Sequence, residues 1–121
     1  MKMLVVDDSR MARRILIGML PEPLREGADI HQGVNGEEAI SLWREHRPDL
    51  IFLDLTMPVM SGFDALVAIR EQDQNTPILV VSADIQARAV EKVMAGGANG
   101  FIDKSKLEAQ LHDNLQRLGF V

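Results

Sequence analysis

Residues 50–58 read Leu50-Ile51-Phe52-Leu53-Asp54-Leu55-Thr56-Met57-Pro58, an apolar run broken by a single carboxylate. Pro48-Asp49 bounds it on one side and Met57-Pro58 on the other. A run this short and this continuously apolar reads as a strand buried on both faces, the kind found in parallel sheets covered by helices. Asp54 then stands at or just past the carboxyl end of a central strand, where open α/β sheets carry their chemistry. Taken alone, an Asp here could equally open the next turn. The rest of the chain decides between the two.

Working outward, four more segments behave like strands. Met3–Val6 stops on Asp7-Asp8, and Pro77–Val81 runs into Ser82. Gly100–Ile102 ends at Asp103-Lys104, while residues 28–34 are poorer in apolar side chains and suit an edge. Helical periodicity fills the gaps. Ser9 is placed to cap a first helix whose predicted inner face is Ala12, Ile15, Leu16 and Met19, leaving Arg10, Arg13 and Arg14 to solvent. Pro21 and Pro23 close that helix, and residues 24–27 carry no clear signal beyond a further turn. Asn35-Gly36 marks a turn before a second helix with Ala39, Leu42 and Trp43 inward, which ends ahead of Pro48. Ser61-Gly62 opens a third, with Phe63, Leu66 and Ile69 inward. The fourth is expected to bury Ala87, Val90 and Met94 and to stop at Gly96-Gly97. The fifth carries Leu107, Leu111, Leu115 and Leu118. Strands and helices in strict alternation imply an α/β fold: a five-stranded parallel sheet with helices on both faces, joined by right-handed crossovers.

Composition narrows the function classes. At 121 residues the chain is expected to be one domain, residues 1–121, with no output domain. A formal charge of −5 argues against direct nucleic-acid binding. The absence of cysteine excludes disulfides, thiol catalysis and Cys-ligated metal. No apolar run approaches the ~18 residues of a membrane span, and the N-terminus lacks a secretory leader. A cytoplasmic protein without membrane partners is the expectation.

Asp7, Asp8, Asp54, Ser82 and Lys104 all fall at strand carboxyl ends, which converge on one edge of the sheet. Clustered carboxylates repel one another unless they take up a proton or a cation. Oxygen-only ligands favour Mg²⁺, which typically takes one or two carboxylates together with phosphate and water. An ammonium and a hydroxyl beside them suit the oxygens of a transferring phosphoryl group. One carboxylate would then be the nucleophile, giving an aspartyl phosphate. Singly, each residue has a plainer reading: acids before a helix match its dipole, a serine caps, and a lysine at a strand end is solvated. Together, at one edge, they point to phosphoryl chemistry.

The chain resembles the receiver domain of two-component response regulators, including the stand-alone chemotaxis type. The resemblance rests on Leu4-Val5-Val6-Asp7-Asp8-Ser9-Arg10, on Asp54-Leu55-Thr56-Met57-Pro58-Val59-Met60-Ser61-Gly62, on Ser82-Ala83, and on residues 97–104, Gly-Ala-Asn-Gly-Phe-Ile-Asp-Lys. It covers essentially the whole chain. It implies a flavodoxin-like (βα)5 fold with strand order 2-1-3-4-5. It implies Asp54 as phosphoacceptor, Asp8 as a direct Mg²⁺ ligand, Asp7 acting mainly through a metal-bound water, and the Thr56 carbonyl completing the set. Ser82 and Lys104 would hold the phosphoryl oxygens, and Ser82 with Phe101 would form the switch. The fourth helix, fifth strand and fifth helix would be the output face, with Arg88, Glu91, Lys92, Asp103 and Lys106 exposed.

The implied partners are a histidine kinase or histidine phosphotransfer protein and a downstream protein target. The domain would promote only its own phosphorylation and dephosphorylation, and is not expected to be a conventional enzyme. The competing readings are a phosphorylation-independent binding module and a small aspartyl-phosphate phosphatase. The phosphatase would want an acid two residues after the nucleophile, where Thr56 stands. A flavin carrier would find its phosphate repelled by Asp7-Asp8. Two features depart from the family. Ser105 follows the lysine where the family has a cis-linked proline; a non-proline cis bond costs about 3–4 kcal/mol, the sequence leaves the Lys104–Ser105 peptide open between cis and trans, and a trans bond would alter the loop that aims Lys104. The connection over residues 21–27 is longer and carries two prolines.

Overall fold

The computed structural model describes all residues, Met1–Val121. The strands are β1 (Lys2–Val6), β2 (Asp29–Gly33), β3 (Leu50–Leu53), β4 (Ile78–Ser82) and β5 (Gly100–Asp103). They form one parallel sheet in the order β2-β1-β3-β4-β5, as expected. The long helices are α1 (Arg10–Met19), α2 (Gly36–His46), α3 (Gly62–Gln72), α4 (Ala87–Ala95) and α5 (Leu107–Arg117). A single helical turn, Glu22–Arg25, fills the two-proline connection and buries Leu24. A 3₁₀ turn, Lys104–Lys106, leads into α5. No helix is long and apolar enough to cross a membrane.

Alternation along the strands sorts the core into two layers, because successive side chains point to opposite faces. Leu4, Val6, Ile51, Leu53, Ile78 and Val80 pack with Ala39 and Trp43 of α2, Leu66 and Ile69 of α3, and Ala89 and Val93 of α4. Met3, Val5, Leu50, Phe52, Leu79, Val81 and Ile102 pack with Leu16 of α1 and Leu111 and Leu115 of α5. Thus α1 and α5 cover one face, and α2, α3 and α4 the other. β2 pairs only with β1, in keeping with its poor apolar content.

Two helices turn differently from the sequence reading. In α1 the buried residues are Leu16 and, just past its end, Leu20, while Ile15 and Met19 are 44% and 43% exposed. The inner stripe is Arg13, Leu16, Ile17 and Leu20, with Arg13 half-buried rather than solvated. In α4 the inner residues are Ala89 and Val93, with Ala87 and Met94 outside and Val90 only half-buried. Both shifts have the same cause: the apolar residues of these helices exceed what one face holds, so the stripe could be drawn through the wrong ones. The inner faces expected for α2, α3 and α5 hold, with Leu42, Phe63, Leu107 and Leu118 half-buried at their margins.

At the amino ends of the strands, Arg70 of α3 joins two loops, residues 73–77 before β4 and 96–99 before β5. Its guanidinium donates to the carbonyls of Asp73 (2.9 Å), Thr76 (2.8 Å) and Gly97 (2.9 Å) and to Asn99 Oδ1 (2.9 Å). Asp73 accepts from the Trp43 indole (3.0 Å), from the N–H groups of Asn75 and Thr76, and from the Thr76 hydroxyl. Burial works against the Asp73 anion, but these hydrogen bonds outweigh it and hold the carboxyl well below its usual range.

Candidate functional site

The site begins with register. Val6 of β1 lies opposite Leu53 of β3, which sets Asp7 and Asp54 side by side one residue beyond each strand. The ladder continues past the strands, with Asp7 N–H donating to Gly33 O (3.1 Å) and Asp54 N–H to Val6 O (3.0 Å). Both carboxylates are buried, Asp7 at 6% exposure and Asp54 at 4%. Asp8 is exposed, and one carboxylate oxygen from each of the three acids lies within 4.8 Å of the others. On the other side of Asp54, Gly62 lets α3 begin against the chain. Its N–H donates to Leu55 O (2.9 Å), and an added Cβ would stand 1.9 Å from Asp54 O. Ser61 caps α3 by accepting from Asp64 N–H.

Lys104 closes the cluster. Its ammonium lies 2.7 Å from Asp7 Oδ2 and 3.4 Å from Asp54 Oδ2. Burial works against this charge, but the hydrogen bond to Asp7 and the charges of Asp54 and Asp7 raise its pKa above the usual lysine value. The Asp54 pKa is pushed up to about 6, first by burial and then by the neighbouring Asp7 charge; Lys104 and the Leu55 N–H, which donates to Asp54 Oδ1 at 2.9 Å, only partly offset this. The cluster therefore holds more negative charge than its own lysine balances. That is the condition under which a divalent cation is bound, and an all-oxygen donor set fits Mg²⁺.

Of the remaining predicted residues, Ser82 and Thr56 fall at the same edge, and Phe101 lies within β5, two residues short of it. Ser82, 1% exposed, ends β4; its Oγ accepts from Asp84 N–H (3.0 Å), leaving the hydroxyl hydrogen free to donate. Thr56 is exposed in the loop two residues past Asp54. Phe101 pairs with Val80, so it lies on the Ser82 face of the sheet, half-buried against the layer that contains α4. Of the residues expected to be exposed on the output face, Arg88, Glu91, Lys92 and Lys106 are, whereas Asp103 is buried. Asp103 is drawn in because its carboxylate caps the Lys104–Lys106 turn. The chain contains no cis peptide, so Lys104–Ser105 is trans and Lys104 reaches the carboxylates all the same.

Sequence reasoning missed Arg13. Its guanidinium donates to Asp7 O (2.6 Å) and to Gln32 Oε1 (2.9 Å), bracing the β1–α1 loop against β2. The signal was present: Arg13 stands three, four and seven residues before Leu16, Ile17 and Leu20, on the face those residues bury.

With three acids, a lysine and a hydroxyl gathered at one sheet edge, comparison with known proteins becomes specific. The family model for the response regulator receiver domain matches residues 3–116. The chain belongs to that family. This receiver domain is 35% identical over 103 residues to the chemotaxis protein CheY of Halobacterium salinarum, covering 85% of this chain and 83% of that protein. It is 36% identical over 103 residues to CheY of Thermotoga maritima, covering 85% and 84%. Among solved structures it is similar to a chain of the CheX–CheY–BeF₃–Mg²⁺ complex from Borrelia burgdorferi, with a TM-score of 0.87 at 31% identity, covering 99% of this chain and 89% of that one. The receiver domain is thus placed in two-component signalling, in a family that binds Mg²⁺ at an acidic pocket and is not generally a conventional enzyme.

Proposed function

We propose that this receiver domain is a phosphorylation switch whose acceptor is Asp54. An Asp54 carboxylate oxygen attacks the phosphorus of a phosphohistidine, the P–O bond forms as the P–N bond breaks, and the histidine leaves with the electron pair. Asp8 and Asp54 would hold Mg²⁺ together with the Thr56 carbonyl, Asp7 would assist from beside them, and Lys104 and Ser82 would hold the phosphoryl oxygens. When bound, Mg²⁺ would neutralise charge on the anionic oxygens. The observation that carries this reading is the Asp54 carboxylate itself, buried beside Asp7 and within reach of the only lysine of the cluster.

The donor is a histidine kinase or histidine phosphotransfer protein. Met11, Ile15 and Met19 of α1 support this, forming an exposed apolar stripe at four-residue spacing. The stripe borders a groove lined by Ile15, Met19 and Leu107 that runs to Lys104, as a helical partner would require. A phosphoryl group on Asp54 draws the Ser82 hydroxyl toward it, Phe101 takes the space released, and the α4–β5–α5 face presents the change to a downstream protein.

The test is incubation with Mg²⁺ and acetyl phosphate, read as intact mass beside Asp54→Asn. One Mg²⁺-dependent phosphoryl adduct, absent from the variant, is expected. No adduct, and no binding of beryllofluoride, would leave a phosphorylation-independent binding module as the better reading.

A further inference from the structure

A lysine side chain has four rotatable carbons, so where its ammonium arrives depends on where its backbone is fixed. No proline stiffens the chain after Lys104, and the peptide that follows it is trans. The backbone is instead fastened by hydrogen bonds on both sides of the lysine. Asp103 Oδ1 accepts from the Ser105 N–H at 2.9 Å and from the Ser105 hydroxyl at 2.8 Å, closing the 3₁₀ turn around Lys104. The Asp103 N–H in turn donates to Gln110 Oε1 of α5 at 2.8 Å. The turn is therefore tied to its own carboxylate and to the helix that follows. The Asp103 carboxyl is held below its usual range, first by the Ser105 hydroxyl and then by the Ser105 N–H, so it stays a charged acceptor at neutral pH.

We propose that Asp103 and Ser105 are positioning residues that, with Gln110, aim Lys104 at the phosphoryl site. They touch neither phosphoryl group nor metal, and act only through the lysine. The proposal rests on Lys104 serving as a phosphoryl-oxygen donor. Misplacement of a reacting group by about 1 Å can cost about 100-fold in rate, so a loosened turn should be visible in the kinetics even where the fold survives. Ser105 is exposed, and removing its hydroxyl opens no cavity in the core.

The experiment is a double-mutant cycle read as the initial rate of Asp54 phosphorylation by acetyl phosphate at saturating Mg²⁺. Ser105→Ala is expected to slow the reaction about 3- to 10-fold, and Ser105→Thr, which restores the hydroxyl, to recover most of it. In a Lys104→Ala background, itself slowed more than about 10-fold, Ser105→Ala should have no further effect. A role confined to capping the turn would lower the thermal midpoint and act alike in both backgrounds. Asp103→Ala in the same cycle gives a second reading, and its midpoint shows whether it is folded. The proposal is overturned if Ser105→Ala leaves the rate unchanged, or slows the Lys104→Ala protein as much as the wild type. A wild-type protein that takes no phosphoryl group, or a Lys104→Ala variant as fast as wild type, would overturn the parent reading instead.

Discussion

Lys104 Nζ lies 2.7 Å from Asp7 Oδ2 but 3.4 Å from Asp54 Oδ2, so the ammonium is held more closely by Asp7 than by the proposed phosphoacceptor. Lysine and metal therefore compete for the charge of Asp7. Lys104→Gln should tighten Mg²⁺ binding about 5- to 10-fold, corresponding to about 1 kcal/mol for one charge removed at this range in a partly screened site. Calorimetric titration of the unphosphorylated protein measures it. Unchanged or weaker affinity would mean that Lys104 does not oppose the metal.

Asp54 gives a pH signature with a definite sign. Unfolded, the carboxyl ionises near 3.8; folded, at about 6. Between these values the folded state holds more protons, so this group's contribution to stability falls as pH rises from about 4 to about 6 and stays low above that. Asp54→Asn removes the contribution. The variant should gain up to about 3 kcal/mol over wild type at pH 7 without Mg²⁺, and nothing at pH 4. Urea unfolding at the two pH values checks it, and a gain that does not shrink at low pH would rule out ionisation of Asp54 as the cause.

Gly62 is required by proximity rather than by backbone dihedral. A methyl group there would overlap the Asp54 carbonyl, and a main-chain atom cannot rotate away as a side chain can. Gly62→Ala should cost about 2–3 kcal/mol and slow phosphorylation by moving the acceptor. Chemical denaturation and the acetyl phosphate assay report the two effects separately.

Arg70 lies away from the acidic cluster and holds the loops at the opposite end of the sheet. Arg70→Met strands four acceptors in two loops and should cost about 2–4 kcal/mol, lowering the thermal midpoint by roughly 8–15 °C. Phosphorylation below the melting range should be unaffected, and a kinetic defect in the folded variant would contradict this assignment.

The α1 stripe separates two kinds of donor. A Met11→Glu, Ile15→Glu double variant should lose at least about 10-fold in phosphotransfer from a phosphohistidine protein, as expected when apolar anchors are removed from an interface. Its rate with acetyl phosphate should stay within about twofold of wild type. Equal loss with both donors would place the damage in the fold.

The strands and the gathering of the candidate site residues at one sheet edge were legible because each signal was local. Leu50–Leu53 and Ile78–Val81 are apolar without interruption, and the acids, serine and lysine follow immediately at their ends. What escaped depended on choices that a one-dimensional pattern leaves degenerate. Met11, Ile15 and Met19 match a helical stripe as well as Leu16 and Leu20 do, and only packing against the sheet decides which set goes inside. Once the stripe is drawn through Ile15, Arg13 falls on the outside and its bond to Asp7 O is lost from view. Asp103 looked exposed because it is charged and ends a strand, whereas a hydrogen-bonded turn with Ser105 offsets the cost of burying it. The clamp from Arg70 to Asn99 joins residues far apart in sequence, and no spacing rule reaches that distance.

The same clamp sets how α4 can move. Arg70 grips the Gly97 carbonyl and the Asn99 side chain just past the end of that helix, while its first turn follows Gln86, which offers no side-chain cap. The helix is thus tied by side-chain hydrogen bonds just past its last turn and by none at its first, like a lever on a fulcrum. The short segment Ala83–Gln86 connects the loose end to Ser82. Under the proposed switch, a pull of the Ser82 hydroxyl toward Asp54 would tilt α4 about Gly97 rather than slide it. Such a tilt would be largest at Ala87 and Arg88 and smallest toward Met94, so a partner reading the signal through α4 would gain most by gripping its first turn.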